Sequence, residues 1–472
     1  MSAHAAPSPA PGPPPTDPVE VMASWAYLRV LLLCVVLGVP IALACFFFVA
    51  LQQALADAVW QSLPRQLGYG RAPWWWPLPT LMLAGLILAP IVTRMPGRGG
   101  HLPVKGLGGP PIGPRELPGV ALSAVATLPL GVVLGPEAPL MALGSGLALL
   151  AVQRLRMRAD PLTGAILATA GSTGAISTIF GGPLVAAVLV LESAVIAGMP
   201  QIFLRLLPCL LASAAGALVF TGFGDWTGLR TGALGLPTVP PDVRPDAGDF
   251  LWGIPVAVVI AVLVVLARKV GSLTAAWTSR RTARRTVICA FAVGCCLTSY
   301  ALLTGRSPME AALSGQRALG LLAADPAQWP VDALVAMLLC KGLAWGLCLG
   351  AMRGGPIFPS IMLGATAALI CNSLPGFGTT PALACGMAAA AGAVTGLPLS
   401  SSLLGAGCSA GTPIVRLPSW SPPRWSPWWW HGSCRGASAD PRRKGAPDEA
   451  IRTSTSGPES GRLITCHPET GR

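Results

Sequence analysis

Apolar segments interrupted by Gly or Pro recur through most of this chain, and charged residues are nearly confined to the gaps between them. Only 11% of the 472 residues are charged and 53% are hydrophobic, whereas soluble domains carry about 25% charged residues. Such a sequence lacks the polar groups to coat a water-facing surface, so the favoured solvent is a bilayer. Many of the segments are too short to cross about 30 Å of hydrocarbon upright. Short, Gly/Pro-broken segments in both halves of a chain point to interrupted helices gathered around a site at the membrane midplane. The expected fold class is an all-α, multi-pass protein of the cell membrane, built of broken, tilted helices.

Residues 1–24 are Pro/Ala-rich, lack the basic region of a secretory signal, and read as a disordered tail. A first apolar run, residues 31–51, follows Arg29. Helices are expected over 79–92, 117–134, 139–152, 162–180, 183–197 and 203–220. A polar, Pro-rich loop, 222–249, divides the chain. Helices resume over 251–267, 286–303, 331–350, 357–371 and 381–395. The pieces 309–322 and 106–112 read as re-entrant or tilted. Pro139 and Gly144 recur at identical spacing as Pro359 and Gly364, and Gly182-Pro183-Leu184 downstream is echoed by Leu397-Pro398-Leu399. The shared order predicts a membrane domain over 25–404 containing two repeats, about 77–221 and 251–404. From residue 405 the composition turns to Ser, Gly, Arg, Pro and Trp without helical period, which reads as a disordered tail.

The net charge of +13 does not point to nucleic acid. Its arginines, such as Arg154, Arg156 and Arg158, lie between apolar segments, where they orient a membrane protein. The 13 cysteines lie mostly inside apolar runs and form neither a CxxC pair nor a Cys/His cluster, so no metal site or disulfide framework is expected. Trp74-Trp75-Trp76, beside Pro73 and Pro77, fits an interfacial aromatic belt. His101 reads as a solvated loop residue. No nucleophile–base pair, phosphate loop or cofactor motif stands out, and an enzyme is not indicated.

Gly135-Pro136-Glu137-Ala138-Pro139 carries the most chemistry. It directly precedes an apolar helix whose free N–H groups and dipole favour a negative charge. Gly135 permits close backbone approach. Glu137 is then a tethered competitor for an anion at that place, and protonation would withdraw it. An acid amid so much apolar sequence is expensive unless it has a role. Gly354-Gly355-Pro356-Ile357-Phe358-Pro359, Gly181-Gly182-Pro183 and Gly97-Arg98-Gly99-Gly100-His101-Leu102-Pro103 offer similar anion-friendly starts. Glu192 reads either as a proton relay or as a helix-end residue in the membrane interface.

As an ordered set these stretches resemble the CLC family of chloride channels and proton/chloride antiporters. Gly135 to Pro139 is similar to that family's GxEGP element, with Ala138 in place of the second glycine. Phe180 to Glu192 is similar to FNAPLAGxLFxxEE, Gly354 to Pro359 to GGIFAP, and Gly99 to Pro103, more loosely, to GSGIP. The resemblance covers residues 25 to 402. It implies a CLC-like inverted repeat of broken, tilted helices, a homodimer in lipid, one pore per subunit, chloride or a similar small anion as cargo, and Glu137 as the gating glutamate. It also implies an anion site drawn from Gly100, Gly135, Pro136, Ala138, Gly355, Ile357 and Phe358. Gly100 replaces the family's ion-coordinating serine, so a contact there must come from backbone. Pro356 has no N–H to donate, which leaves Ile357 as the better donor. Ser193 stands where antiporters carry the inner proton-transfer glutamate, beside Glu192. That substitution favours a passive or uncoupled pathway. The alternatives are a proton/chloride antiporter relaying through Glu192, and a non-transporting product. The family's last membrane helix, which brings a chloride-coordinating tyrosine, has no counterpart after Leu404, and the tail looks like a shifted reading frame.

Overall fold

The computed structural model describes residues 21–106, 112–156, 160–177, 179–180, 182–196, 202–228 and 246–409. The expected tails up to residue 20 and from 410, most of the piece 106–112, Gly181 and the centre of the loop 222–249 lie outside the described residues. The described chain is helical. Among the described residues, six helices are long and apolar enough to cross a membrane, with shorter apolar helices besides them.

Helix α1 (Trp25–Asp57) starts where the Ser24 side chain accepts a bond from the Tyr27 amide. That cap, with an Ala-containing stretch beyond the apolar run, makes α1 longer at both ends than hydropathy alone suggests. The chain continues through a π-turn (Ala58–Ser62) and a helical turn, Leu63–Gln66. Pro40 sits within α1 without ending it, as proline can in a membrane helix. Then follow α2 (Pro77–Arg94), α3 (Leu117–Thr127), α4 (Glu137–Arg154), α5 (Pro161–Ile176), α6 (Pro183–Ile196) and α7 (Ile202–Thr227). The second half supplies α8 (Ala247–Ser279), α9 (Thr282–Thr304), α10 (Gln316–Ala324), α11 (Val331–Ala351), α12 (Ile357–Ile370), α13 (Thr379–Thr395) and α14 (Pro398–Ser409).

Several expected helices are differently bounded: α8, expected over 251–267, runs from Ala247 to Ser279, and α5, expected to 180, ends at Ile176. Two further segments differ for identifiable reasons. The helix expected over 117–134 ends at Thr127 and passes into a short 3-10 turn, Leu128–Leu130. Gly131 there takes a left-handed conformation, φ 109°, which helical backbone cannot accommodate. The piece 309–322 is a one-turn helix, Pro308–Ala311, and α10, separated by Leu313 at φ 60°.

The two halves repeat a helix crossing. α4 packs on α5, and α12 packs on α13. A Cβ on Gly144 would lie 2.3 Å from the Gly171 carbonyl oxygen, and one on Gly364 would lie 2.2 Å from that of Gly386. Both crossings therefore bring backbone against backbone, which only small residues allow. On α8, Ile254, Val258, Val262 and Leu266 recur every fourth residue and are all exposed. An unbroken apolar stripe along a long helix suits contact with lipid tails. The triple tryptophan divides: Trp74 is exposed, whereas Trp76 is buried and donates its indole N–H to the Val59 carbonyl at 3.1 Å. Trp76 therefore ties α2 to the π-turn, whereas Trp74 is exposed and Trp75 half-buried.

Candidate functional site

The site forms where two Gly-Pro turns meet. Pro136 and Pro356 are the N-cap residues of α4 and α12, at φ/ψ of −81°/−6° and −88°/−14°. A missing N–H does no harm at a helix start, and the near-identical angles make the two turns copies of one shape. α4 accordingly begins at Glu137, two residues before the expected start, and the glutamate lies inside its first turn.

The residues just ahead of the prolines are stapled together. The Gly135 amide donates to the Gly355 carbonyl at 2.8 Å, and the Gly355 amide returns a bond to the Gly135 carbonyl at 2.7 Å. This antiparallel bridge joins the halves of the chain and aims the two helix starts at one point. Neither glycine has room for a side chain. A Cβ on Gly135 would lie 1.9 Å from Glu137 Oε2, and one on Gly355 would lie 2.0 Å from Glu137 Cδ.

The Glu137 carboxylate fills that space and is fully buried, 0% exposed. Its Oε1 accepts from the Ile357 amide at 2.7 Å and the Phe358 amide at 3.3 Å. The first free N–H groups of α12 thus hold a carboxylate from the other half of the chain. Oε2 has no hydrogen-bond partner. A buried charged oxygen left unpaired is costly, so the carboxylate is bound on one side only. The Phe358 ring stacks on Phe180, with centroids 5.5 Å apart and planes 10° apart. Of the expected site residues, Gly135, Pro136, Glu137, Gly355, Ile357 and Phe358 converge here. Ala138 follows in the first turn of α4, half-buried.

Gly100 is placed differently. Its amide donates to Gly97 within its own turn at 2.8 Å, so that N–H is not free for a ligand. The loop is nonetheless tied toward the site. Arg353, directly before Gly354, donates through Nε to the Arg98 carbonyl at 3.0 Å, and Ser123 Oγ donates to Gly99 at 2.9 Å. Arg98 and Arg353 line a cavity of about 440 Å³ together with Thr278, Ser279, Thr282 and Thr286, and no carboxylate lines it. Its field favours anions. His101 is exposed.

Glu192 caps a different helix start. Its Oε1 accepts from the Leu399 amide at 2.9 Å, and its Oε2 from the Ser400 amide at 2.9 Å and from the Ser400 hydroxyl. Both oxygens are engaged. The neighbouring Ser193 hydroxyl donates to the Val190 carbonyl of its own helix at 2.7 Å.

Among the described residues, three buried cations escaped the sequence reading: Arg205, Arg353 and Lys341. Lys341, in the middle of α11, is fully buried and donates Nζ to the carbonyls of Ala311, Ala312 and Leu313 at 2.8, 3.2 and 3.2 Å. The available signal was a single lysine in the long apolar run 331–351, which in a membrane helix is rare enough to mark a role.

A family model described as "Voltage gated chloride channel" matches residues 101–412. Similar proteins include those named ion-transport protein YfeO. The Escherichia coli (strain SE11) protein is 32% identical over 185 residues, 39% of this chain and 44% of the relative. The Salmonella paratyphi A protein is 32% identical over 189 residues, 40% and 45% of the two chains. The match thus spans less than half the length of these curated relatives. Among solved structures, a slow cyanobacterial Cl⁻/H⁺ antiporter has a TM-score of 0.64 at 17% identity, covering 80% of this chain and 89% of that one. A CLC-type fluoride/proton antiporter has a TM-score of 0.62 at 18% identity, covering 82% and 91%. At these identities the likeness is one of fold. The matched residues, the paired Gly-Pro turns and the helix order make this chain a multi-pass membrane protein of the voltage-gated chloride channel, or CLC, family.

Proposed function

We propose that the chain forms a transmembrane pathway for chloride or a similar small anion, passive or uncoupled, with Glu137 as its gate. One observation carries the reading: a buried carboxylate occupies the free amides at the start of α12. A group of that charge, bound through N–H donors and left open on its other oxygen, stands in for a free anion. When Glu137 is protonated or swings away, the Ile357 and Phe358 amides become available to the ion. Gly135, Pro136, Ala138 and Gly355 shape the turns around it, and the arginine-lined cavity raises the local anion concentration. The contribution of Gly100 is reduced to shaping its loop, since its amide is already bonded. The repeats over about 77–221 and 251–404 each supply one turn, and two copies of the chain form a homodimer with one pathway apiece.

The absence of coupling rests on Glu192. Its three donors hold it on α14, as a structural cap would be held, and its neighbour is Ser193. The test is chloride efflux from proteoliposomes under a potassium/valinomycin clamp. Glu137→Ala is expected to raise the flux, and lower pH is expected to raise it in the wild type only. A folded wild type and variant that both give no flux would reject the pathway. Chloride-driven proton uptake lost in Glu192→Gln would establish the antiporter instead.

A further inference from the structure

Four arginines, Arg280, Arg281, Arg284 and Arg285, cluster at the corner between α8 and α9. Cytoplasmic loops are where such an excess of positive charge collects, which puts this corner on the cytoplasmic side. The cavity of about 440 Å³ lies at the same corner, between Thr278 and Ser279 of α8, Thr282 and Thr286 of α9, and Arg98 and Arg353. None of the turn residues 135–138 or 354–358 lines it, so it is separate from the Glu137 site. Its volume lies within the range of small-molecule sites.

The charge around this space is unbalanced. Arg353 is 7% exposed, and its guanidinium meets only backbone: Nε donates to the Arg98 carbonyl at 3.0 Å and Nη1 to the Met352 carbonyl at 3.1 Å. Among the described residues, Nη2 has no hydrogen-bond partner, and neither Arg353 nor Arg98 joins an ion pair. Glu116 packs on the Gly97 turn but does not line the cavity. A buried cation without a counter-charge is costly. Arg98 itself is held at φ 49°, a left-handed conformation that is uncommon outside glycine and clusters at functional sites.

Two further features add donors rather than acceptors. Thr286 lines the cavity at 1% exposure, and among the described residues its hydroxyl makes no hydrogen bond. The 23-residue helix α9 begins at the cavity wall with Thr282, and no side chain caps that start. Free N–H groups at a helix start favour phosphate. The Thr278 and Ser279 hydroxyls, by contrast, already donate to backbone carbonyls. Two guanidiniums with no acid between them call for a divalent anion, and their planar forks match the oxygens of phosphate.

We propose that this cavity binds a phosphate group, held by the Arg353 and Arg98 guanidiniums, the Thr286 hydroxyl and the start of α9. The phosphate is that of a free ion or of a lipid headgroup, for which the binding chemistry is the same. Binding itself requires no ion movement, and its test stands apart from the transport reading.

The test is calorimetric titration of the purified, detergent-solubilised full chain, in chloride-free buffer, with inorganic phosphate and separately with dioctanoyl phosphatidic acid. Saturable binding is expected, with nitrate, a monovalent oxyanion, binding much more weakly. Binding of inorganic phosphate supports a soluble ligand, and binding of the lipid alone supports a headgroup. Arg353→Lys keeps the charge but loses the fork, and should weaken binding by roughly tenfold, the scale of a hydrogen bond to a charged group. Thr286→Val, which removes the hydroxyl at nearly constant volume, should weaken it by roughly fivefold. This second variant keeps the proposal testable should the lysine variant fail to fold. Glu137→Ala should leave the affinity unchanged, whereas an ion taking the α12 amides would gain affinity there. No saturable binding of either ligand, equal affinity for nitrate, unchanged affinity in a folded Arg353→Lys or Thr286→Val chain, or tighter binding in Glu137→Ala would overturn it.

Discussion

Among the described residues, two acids of the first half reach across to a helix start in the second, and they are bound in opposite ways. Glu137 meets the start of α12 and Glu192 meets the start of α14. Glu137 is fully buried, engages two amides through one oxygen, and leaves the other oxygen unpartnered. Glu192 is only partly buried and has both oxygens satisfied, by two amides and a hydroxyl. The same contact therefore serves two ends. A carboxylate that is buried but only half satisfied is poised to leave, and an anion can take its amides. A carboxylate that is fully satisfied at an accessible edge is an ordinary cap, and its removal costs stability rather than opening anything.

The largest expected effect separates the two at once. Glu137→Ala removes the competitor for the Ile357 and Phe358 amides. Hydrogen bonds to charged groups are worth about 1.5–3 kcal/mol, so anion occupancy and flux should rise by roughly tenfold or more in liposome efflux. Glu192→Ala should leave flux unchanged in the same assay. If both variants raise flux equally, the two contacts are alike and the comparison fails.

Next in size is Gly355→Ala. Its Cβ would fall 2.0 Å from Glu137 Cδ, so the carboxylate must move out or the two turns must part. Efflux raised toward the Glu137→Ala level, with a lowered melting temperature, is expected. Wild-type flux and stability would show that the carboxylate does not sit over this glycine. Lys341→Met leaves the carbonyls of residues 311–313 without their donor. A loss of about 1–3 kcal/mol per unsatisfied buried group should appear as a marked fall in thermal stability.

The pH response sharpens the contrast further. Protonated Glu137 no longer holds the amides as an anion does. Flux should therefore rise as pH falls, and Glu137→Ala should be flat over the same range. The smallest effect belongs to Glu192→Ala, for which a lost cap costs about 0.5–2 kcal/mol. A modest drop in melting temperature without a change in flux or its pH dependence is the expected signature.

Much of this was legible in the sequence, and the exceptions have physical reasons. The all-α membrane fold follows from apolar segments and scarce charge. Glu137 stood out because Gly135-Pro136 before it and Pro139 after it mark a helix start in apolar surroundings. Pro356 lacks an N–H, which pointed to Ile357, and Ile357 provides the shorter bond. The pairing of Gly135 with Gly355 was not legible, because it joins residues far apart in the chain that no local pattern links. Glu192 was left open between relay and helix-end residue, since its partners Leu399 and Ser400 lie in the other half. Arg353 was not legible, because its burial arises only when the Arg98 loop packs on it, whereas Lys341 was marked by its place in the apolar run 331–351 and was not read. Helix limits moved where local geometry outweighed hydropathy, as the Ser24 cap does for α1 and as the 3-10 turn ending at Gly131 does beyond α3.

The central claim is that Glu137 occupies an anion's place at the start of α12 whereas Glu192 does not occupy one at α14. Bromide-soaked crystals of Glu137→Ala and Glu192→Ala test it directly by anomalous diffraction. The account predicts a bromide peak within hydrogen-bonding distance of the Ile357 and Phe358 amides in Glu137→Ala, and none at Leu399 and Ser400 in Glu192→Ala. An empty α12 start in the first variant, or a bromide at both starts, would contradict it.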